Sequence, residues 1–235
     1  MADAVGDGVT FNAYTSLGPG SIVSISGQNL SQNTIVAGPG ALPTAFDTTS
    51  VRLVVASGEV ALPLFSISPA EIRTLLPTDL APGSYNLHVI VGSFQSNDVP
   101  ISVAAFAPGI LTENGTGRGP GIFVKDDRSP VSVSNAADRG AIVTFFADGL
   151  GAVDPPVAAG HPGALSEPYN RTVATPRVFF DIYQADVIYS GLPAGAPGPY
   201  QVTVRVPVLL SPATNISVSL TIGGFGSNRV TIPVR

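Results

Sequence analysis

The chain repeats itself. Gly20-Ser-Ile-Val-Ser-Ile25 returns as Gly140-Ala-Ile-Val-Thr-Phe145, and Leu30 as Leu150, each 120 positions later. Pro39-Gly-Ala-Leu42 returns as Pro162-Gly-Ala-Leu165 at a spacing of 123, and Pro77 and Leu80 as Pro207 and Leu210 at 130. Gly92, Phe94, Ser96 and Asn97 return as Gly223, Phe225, Ser227 and Asn228 at 131. Asn12-Ala13 pairs with Asn135-Ala136 just upstream. Past Gly20 the matches keep their order while the spacing only grows, as loop insertions in a duplicated unit would produce. A duplicated chain folds as two like units, so a fold that suits about 100 residues is required twice.

Each copy reads as about seven strands. In the first they are expected near 9–14, 21–26, 51–56, 60–67, 71–76, 85–91 and 99–103, and in the second near 131–135, 141–146, 177–182, 185–189, 200–206, 216–222 and 229–234. Several alternate strictly. Val202, Val204 and Val206 are separated by Thr203 and Arg205, and Ile216, Val218, Leu220 and Ile222 by Ser217, Ser219 and Thr221. Such a period of two puts one face of a strand in a core and the other in water, as antiparallel sandwich sheets require. Pro100 and Pro233 cannot donate to a ladder, which places their strands at sheet edges or bulges. The best candidate for a helical turn, 69–73, competes with a strand. Seven short strands in about 100 residues is the pattern of an immunoglobulin-like sandwich, here without the Cys and Trp of antibody domains.

The expected organisation is therefore all-β: a first sandwich over 8–105, a linker over 106–130 and a second sandwich over 131–235. In the linker, Ile110-Leu111 and Ile122-Phe123-Val124 flank the Gly-rich stretch 114–121, which reads as a β-hairpin with its tip near Asn114-Gly115. Its apolar arms predict packing against a sandwich and hence a stiff joint.

Composition narrows the function. Hydrophobic residues are 44% of the 235, enough for two cores, and charged residues only 11%. The formal net charge is −5, and the 11 basic residues form no run, which argues against nucleic acid and anionic membrane surfaces. The absence of Cys removes disulfides, thiol catalysis and Cys-ligated zinc. No apolar run reaches the roughly 20 residues that span a bilayer as a helix, so no membrane insertion is expected. Residues 1–11 lack the basic and apolar regions of a signal peptide, which leaves a cytoplasmic binding protein or a piece of a longer, exported chain; their run straight into strand-like sequence favours the second.

Tyr200-Gln-Val-Thr-Val-Arg-Val-Pro207, then Ile222-Gly-Gly-Phe-Gly-Ser-Asn228 and Val230-Thr-Ile232, resemble the Solibacter-type uncharacterised C-terminal domain family. Pro19-Gly-Ser-Ile-Val-Ser-Ile-Ser-Gly-Gln-Asn-Leu30 resembles the start of that family and, more loosely, the opening strands of IPT/TIG domains, and Ala107-Pro-Gly-Ile-Leu111 also resembles the family. The second copy departs at Ala147-Asp148-Gly149, where the family has a Gly-led turn. The resemblance covers about 9–235 and implies export and an IPT/TIG-like sandwich. It supplies no catalytic residues.

Candidate sites are few. The two His, His88 and His161, fall at non-corresponding positions and make no metal set; His88 reads as a solvated strand residue. No Gly-x-Ser-x-Gly elbow occurs. Asp148 and Asp154 flank a Gly/Pro loop and could join a calcium site, but the spaced oxygens that calcium needs are missing. Of the adjacent pairs Phe145-Phe146 and Phe179-Phe180, one ring each should face out, covered by a neighbour or offered to a sugar. The longest connection of the second copy, 151–171, is the candidate binding loop, with Asp154, His161, Tyr169 and Arg171 as its recognition residues. The reading is a non-catalytic structural, adhesion or docking module, extracellular or at a cell surface, with no cofactor and no metal. Its partners would be other domains of the parent protein, an extracellular protein or a glycan. The alternative is an accessory carbohydrate-binding module of a secreted polysaccharide-degrading enzyme.

The alternation makes a direct prediction. Val204→Asp should bury an unpaired charge and cost several kcal/mol, out of a total stability of ~5–15 kcal/mol. Thr203→Asp, one residue away, should cost little. Equal melting temperatures for the two variants would reverse the register.

Overall fold

Alternation is realised residue by residue. Val202, Val204 and Val206 have no exposed surface, while Gln201 and Thr203 are half-buried and Arg205 is exposed. The computed structural model describes residues 2–8 and 16–235; the strand expected near 9–14 lies outside them. Every element named below is a strand, and all named ladders are antiparallel.

The first copy contains β1 (Ala2–Asp7), β2 (Ile22–Gly27), β3 (Thr49–Val55), β4 (Gly58–Ala61), β5 (Leu64–Ile67), β6 (Glu71–Leu75), β7 (Gly83–Val91) and β8 (Val99–Val103). One sheet runs β1-β2-β6-β5, and the other has β3 and β7 at its centre with β4 beside β3 and β8 beside β7. Two facing sheets with this strand order form an immunoglobulin-like sandwich. The core between them is Val23, Ile25, Val51, Leu53, Leu64, Ile67, Ile72, Leu87 and their neighbours.

Next come β9 (Gly109–Ile110) and β10 (Phe123–Lys125), then β11 (Ile142–Asp148), β12 (Arg177–Phe180), β13 (Tyr183–Gly191), β14 (Tyr200–Arg205), β15 (Ala213–Ile222) and β16 (Val230–Val234). Thr112 bridges Gly121 at the neck of a short hairpin excursion, and the strands flanking it, β9 and β10, lie end to end along β11, each antiparallel to it. Ile110 and Phe123 accordingly belong to the core of the second copy. Phe123 lies opposite Phe145 as Val5 lies opposite Ile25, so β10 holds on β11 the place that β1 holds on β2.

The ladders of the two copies share one register. Val51 opposes Val89, and Val178 opposes Leu220; Val99 opposes Leu87, and Val230 opposes Val218. Both copies carry a β-bulge at the same place, between Leu64 and Ser66 and between Val187 and Tyr189. They differ at the corner between sheets. β13 pairs with β12 through its first half and with β14 through its second, so it turns the corner unbroken. In the first copy Pro63, which has no N–H to give a ladder, splits the strand expected over 60–67 into β4 and β5.

Three expectations are settled locally. β8 and β16, which carry Pro100 and Pro233, each carry one ladder and are met on the other side only by isolated parallel bridges, at Leu17 and at Pro120 and Ala137. Residues 71–75 are strand, not a helical turn. The strand expected near 131–135 is a turn, because Asn135 folds back to donate from its side chain to Pro130 O (2.8 Å) and Ser129 Oγ (3.1 Å).

Phe180 is fully buried in the second core, and Ile182, two residues on, is 83% exposed. Phe180→Ala should therefore lower stability by about 3–5 kcal/mol, and Ile182→Ala by no more than ~0.5 kcal/mol. Urea unfolding of the two variants would show it; comparable losses would mean that Phe180 is not a core residue.

Candidate functional site

The loop over 151–171 begins with a short ladder in which Asp154 opposes Arg171. The Arg171 guanidinium lies over the Tyr189 ring at 4.9 Å from its centroid, and Tyr169 meets that ring edge-on at 6.3 Å. Arg171 Nη2 also pairs with Glu167 Oε1 at 3.4 Å, an exposed i,i+4 pair of small energetic weight. Three of the expected recognition residues thus gather on one patch, joined by Tyr189 and Glu167. The rings of Tyr169 and Tyr189 stand at 89° to each other, so they offer no flat platform for a sugar face. Phe145 and Phe180 are core residues, with Phe146 and Phe179 half-buried, so neither pair presents an open ring.

His161 is not part of that patch. It is exposed at the far end of the loop, next to Gly160, whose carbonyl accepts the amide of Leu42 in the first sandwich at 2.8 Å. A Cβ at Gly160 would press on Pro63. The loop therefore rests on the first sandwich here, as a strut between the copies.

His88 corrects the sequence reading: it is only 2% exposed. Nδ1 meets Asp98 Oδ1 at 3.0 Å, and Nε2 lies 3.6 Å from Glu59 Oε1. The outer sheet face around β7 is roofed by those side chains, which a strand pattern alone does not reveal. Among the described residues no three His, Asp or Glu converge as a metal site, and no helix is long and apolar enough to cross a membrane.

The most densely built polar cluster is at the junction of the copies. Asp148, at the end of β11, is fully buried, and its Oδ2 accepts the amide of Ile22 on β2 at 3.0 Å. Burial, and then the neighbouring charge of Asp7 on β1, raise the Asp148 carboxyl well above the ordinary range. Tyr200, 1% exposed, donates its hydroxyl to Gly151 O and covers Gly20, where any side chain would collide with the ring. Gly151 N donates to Pro19 O at 3.1 Å and Ala107 N to Gly149 O at 3.1 Å. Gly149 has φ +65, and a Cβ there would collide with the Ala107 carbonyl. Beside the junction lies a cleft of about 680 Å³, lined by both copies through residues such as Phe65, Arg73, Leu111 and Pro197.

No family model matches the chain, and no curated protein matches it. Solved structures similar to it include the surface glycan-binding protein PbSGBP-B of Prevotella bryantii, at 11% identity and TM-score 0.29, over 97% of this chain and 40% of that one. Another is the Bacteroides ovatus SGBP-B of a mixed-linkage glucan utilization locus, at 14% and 0.27, over 94% and 44%. Domains 5–6 of the S-layer protein SbsC match at 14% and 0.30, over 98% and 95%. The chain spans less than half the length of the first two. At these scores the similarity bears on neither ligand nor partner.

The junction makes stability depend on pH in a stated direction. A carboxyl whose folded pKa is raised contributes stability that is fully present below the unfolded value, near 4, and is lost as pH rises through the folded value. Asp148→Asn removes that titration. The wild type should lose stability relative to the variant as pH rises above about 4. Parallel stability–pH curves for the two proteins would show that Asp148 does not titrate in the fold.

Proposed function

We propose that this chain is a non-catalytic spacer and docking module of an exported bacterial multidomain protein, two sandwiches fixed in series. The observation that carries the reading is the junction. Asp148, Tyr200, Gly149 and Gly20 interlock the copies through buried contacts in place of a free tether. The described chain also enters and leaves at opposite poles. Ala2 opposes Gly27, at the end of β2 away from the junction residue Ile22. Val234, near the other terminus, lies at the end of β16 remote from the Phe225 turn, which packs on Phe106 at the junction. A load or a neighbouring module attached at one end is thus held at a fixed distance and angle from the other. The low charge suits packing between modules, and the partners would be neighbouring domains, an extracellular protein or a glycan.

The absence of Cys allows a clean test. Gln95→Cys and Ser211→Cys, exposed and at opposite poles, take spin labels. Pulsed dipolar spectroscopy should give one narrow distance distribution, which Gly149→Val broadens. A broad distribution in the parent would overturn the rigid-spacer reading. No turnover of polysaccharide, ester or peptide substrates above a no-enzyme control is expected; turnover abolished by changing His161 or Asp154 would overturn the non-catalytic one.

A further inference from the structure

The two copies are alike in register and unlike in what covers one groove. In the second copy the groove is filled by the chain leading in from the first. Phe106 packs on Gly151 and Gly223 and lies 6.2 Å from the Phe225 ring. Ala107 N donates to Gly149 O at 3.1 Å. Pro108, Gly109 and Ile110 are buried. Asn228 clamps the segment: its Oδ1 accepts Ile110 N at 2.6 Å, and its Nδ2 donates to Ile110 O at 2.9 Å and to Gly117 O at 2.8 Å.

The first copy has the same groove with no described residue filling it. Asn29, Leu30, Ser31, Gly92, Phe94 and Asn97 stand where the second copy has Gly149, Leu150, Gly151, Gly223, Phe225 and Asn228. The backbone has been kept: Asn29 holds φ 55 where Gly149 holds φ 65, and Phe94 opposes Val91 as Phe225 opposes Ile222. The cover has not. Phe94 is 79% exposed against 40% for Phe225, and a Cβ at Gly92 would meet nothing within 4 Å, where one at Gly223 would meet Phe106. Asn97 is exposed, and no described residue is set against its side-chain amide. The result is a groove of about 820 Å³ floored by Leu30, Val89 and Val91.

We infer that this groove docks an extended apolar segment of the Phe-Ala-Pro-Gly-Ile type, carried by a preceding sandwich module. Its ring would lie between Gly92 and Phe94, and its last backbone amide would be clamped by Asn97. The direction of entry agrees. Ala2 opposes Gly27 as Ile110 opposes Ala147, so a segment leading into β1 arrives in line with the groove, as 106–109 leads into β9. The inference extends the reading of the chain as one link in a series, but its test is separate from the rigidity of the junction: either measurement can fail without the other.

A synthetic peptide of residues 103–112 is the probe, titrated into the isotopically labelled full chain and followed by amide chemical shifts. Saturable shifts are expected at Leu30, Ser31, Phe94 and Asn97 and not around Asn228. Asn97→Ala, on an exposed side chain, should weaken binding about tenfold, the effect of ~1.4 kcal/mol, and a peptide with Phe106→Ala should bind more weakly still. Asn97→Asp tests the same clamp independently, since it keeps the amide acceptor but loses the donor. No saturable shift at the groove overturns the inference, as does peptide binding indifferent to all three changes. So does a groove that responds to a second copy of the chain or to a glucan oligosaccharide while the peptide leaves it unchanged.

Discussion

The amide of Ile22 in one sandwich donates to the carboxyl of Asp148 in the other, out of reach of water. A buried acceptor cannot be left without its donor except at a cost of about 1–3 kcal/mol, more if it is charged. That single bond therefore opposes separation of the sandwiches more than an exposed contact would. The residues around it follow the same constraint. Gly18, Gly20 and Gly149 leave no room for a side chain because Ala107 and the Tyr200 ring come too close. The backbone of one copy is thus packed directly against groups of the other.

Duplication explains how such a junction arises from a simple unit. Every main ladder kept its register, and the bulge at Phe65 recurs at Ile188. Register is hard to change because a slip of one residue would move each alternating apolar set to the wet face. The positions that diverged are those that meet something outside the unit. Ala70 stands beside Glu71 where the second copy has Tyr200 beside Gln201, and Gln28 follows Gly27 where the second copy has Asp148 after Ala147. Both changes put a large or acidic group where the second copy receives the first.

The strands were readable because their signal is local. Val204 and Val218 are buried as alternation requires, and the strands of Pro100 and Pro233 each carry a single ladder because a missing N–H interrupts a ladder in any context. The candidate loop was only partly readable. Arg171 and Tyr169 do share a patch, but the ring that unites them, Tyr189, comes from β13, beyond β12 in the chain, and His161 is drawn away by Gly160 resting on the first sandwich. Asp148 stood out in the sequence only as a residue of an atypical turn and as one of two carboxylates flanking a Gly/Pro loop.

By itself, then, the sequence determined the all-β class, the twofold repetition, the inward face of most strands and the existence of a hairpin between the copies, all of which depend on spacing along one segment. Tertiary structure alone decided that β9 and β10, on either side of the hairpin excursion, both add to β11, that His88 is roofed by Glu59 and Asp98, and that Asp148 faces Ile22 and Asp7. Each of these depends on residues brought together from distant parts of the chain. Burial of a polar side chain is set by what lies above its strand, and no period of two records that.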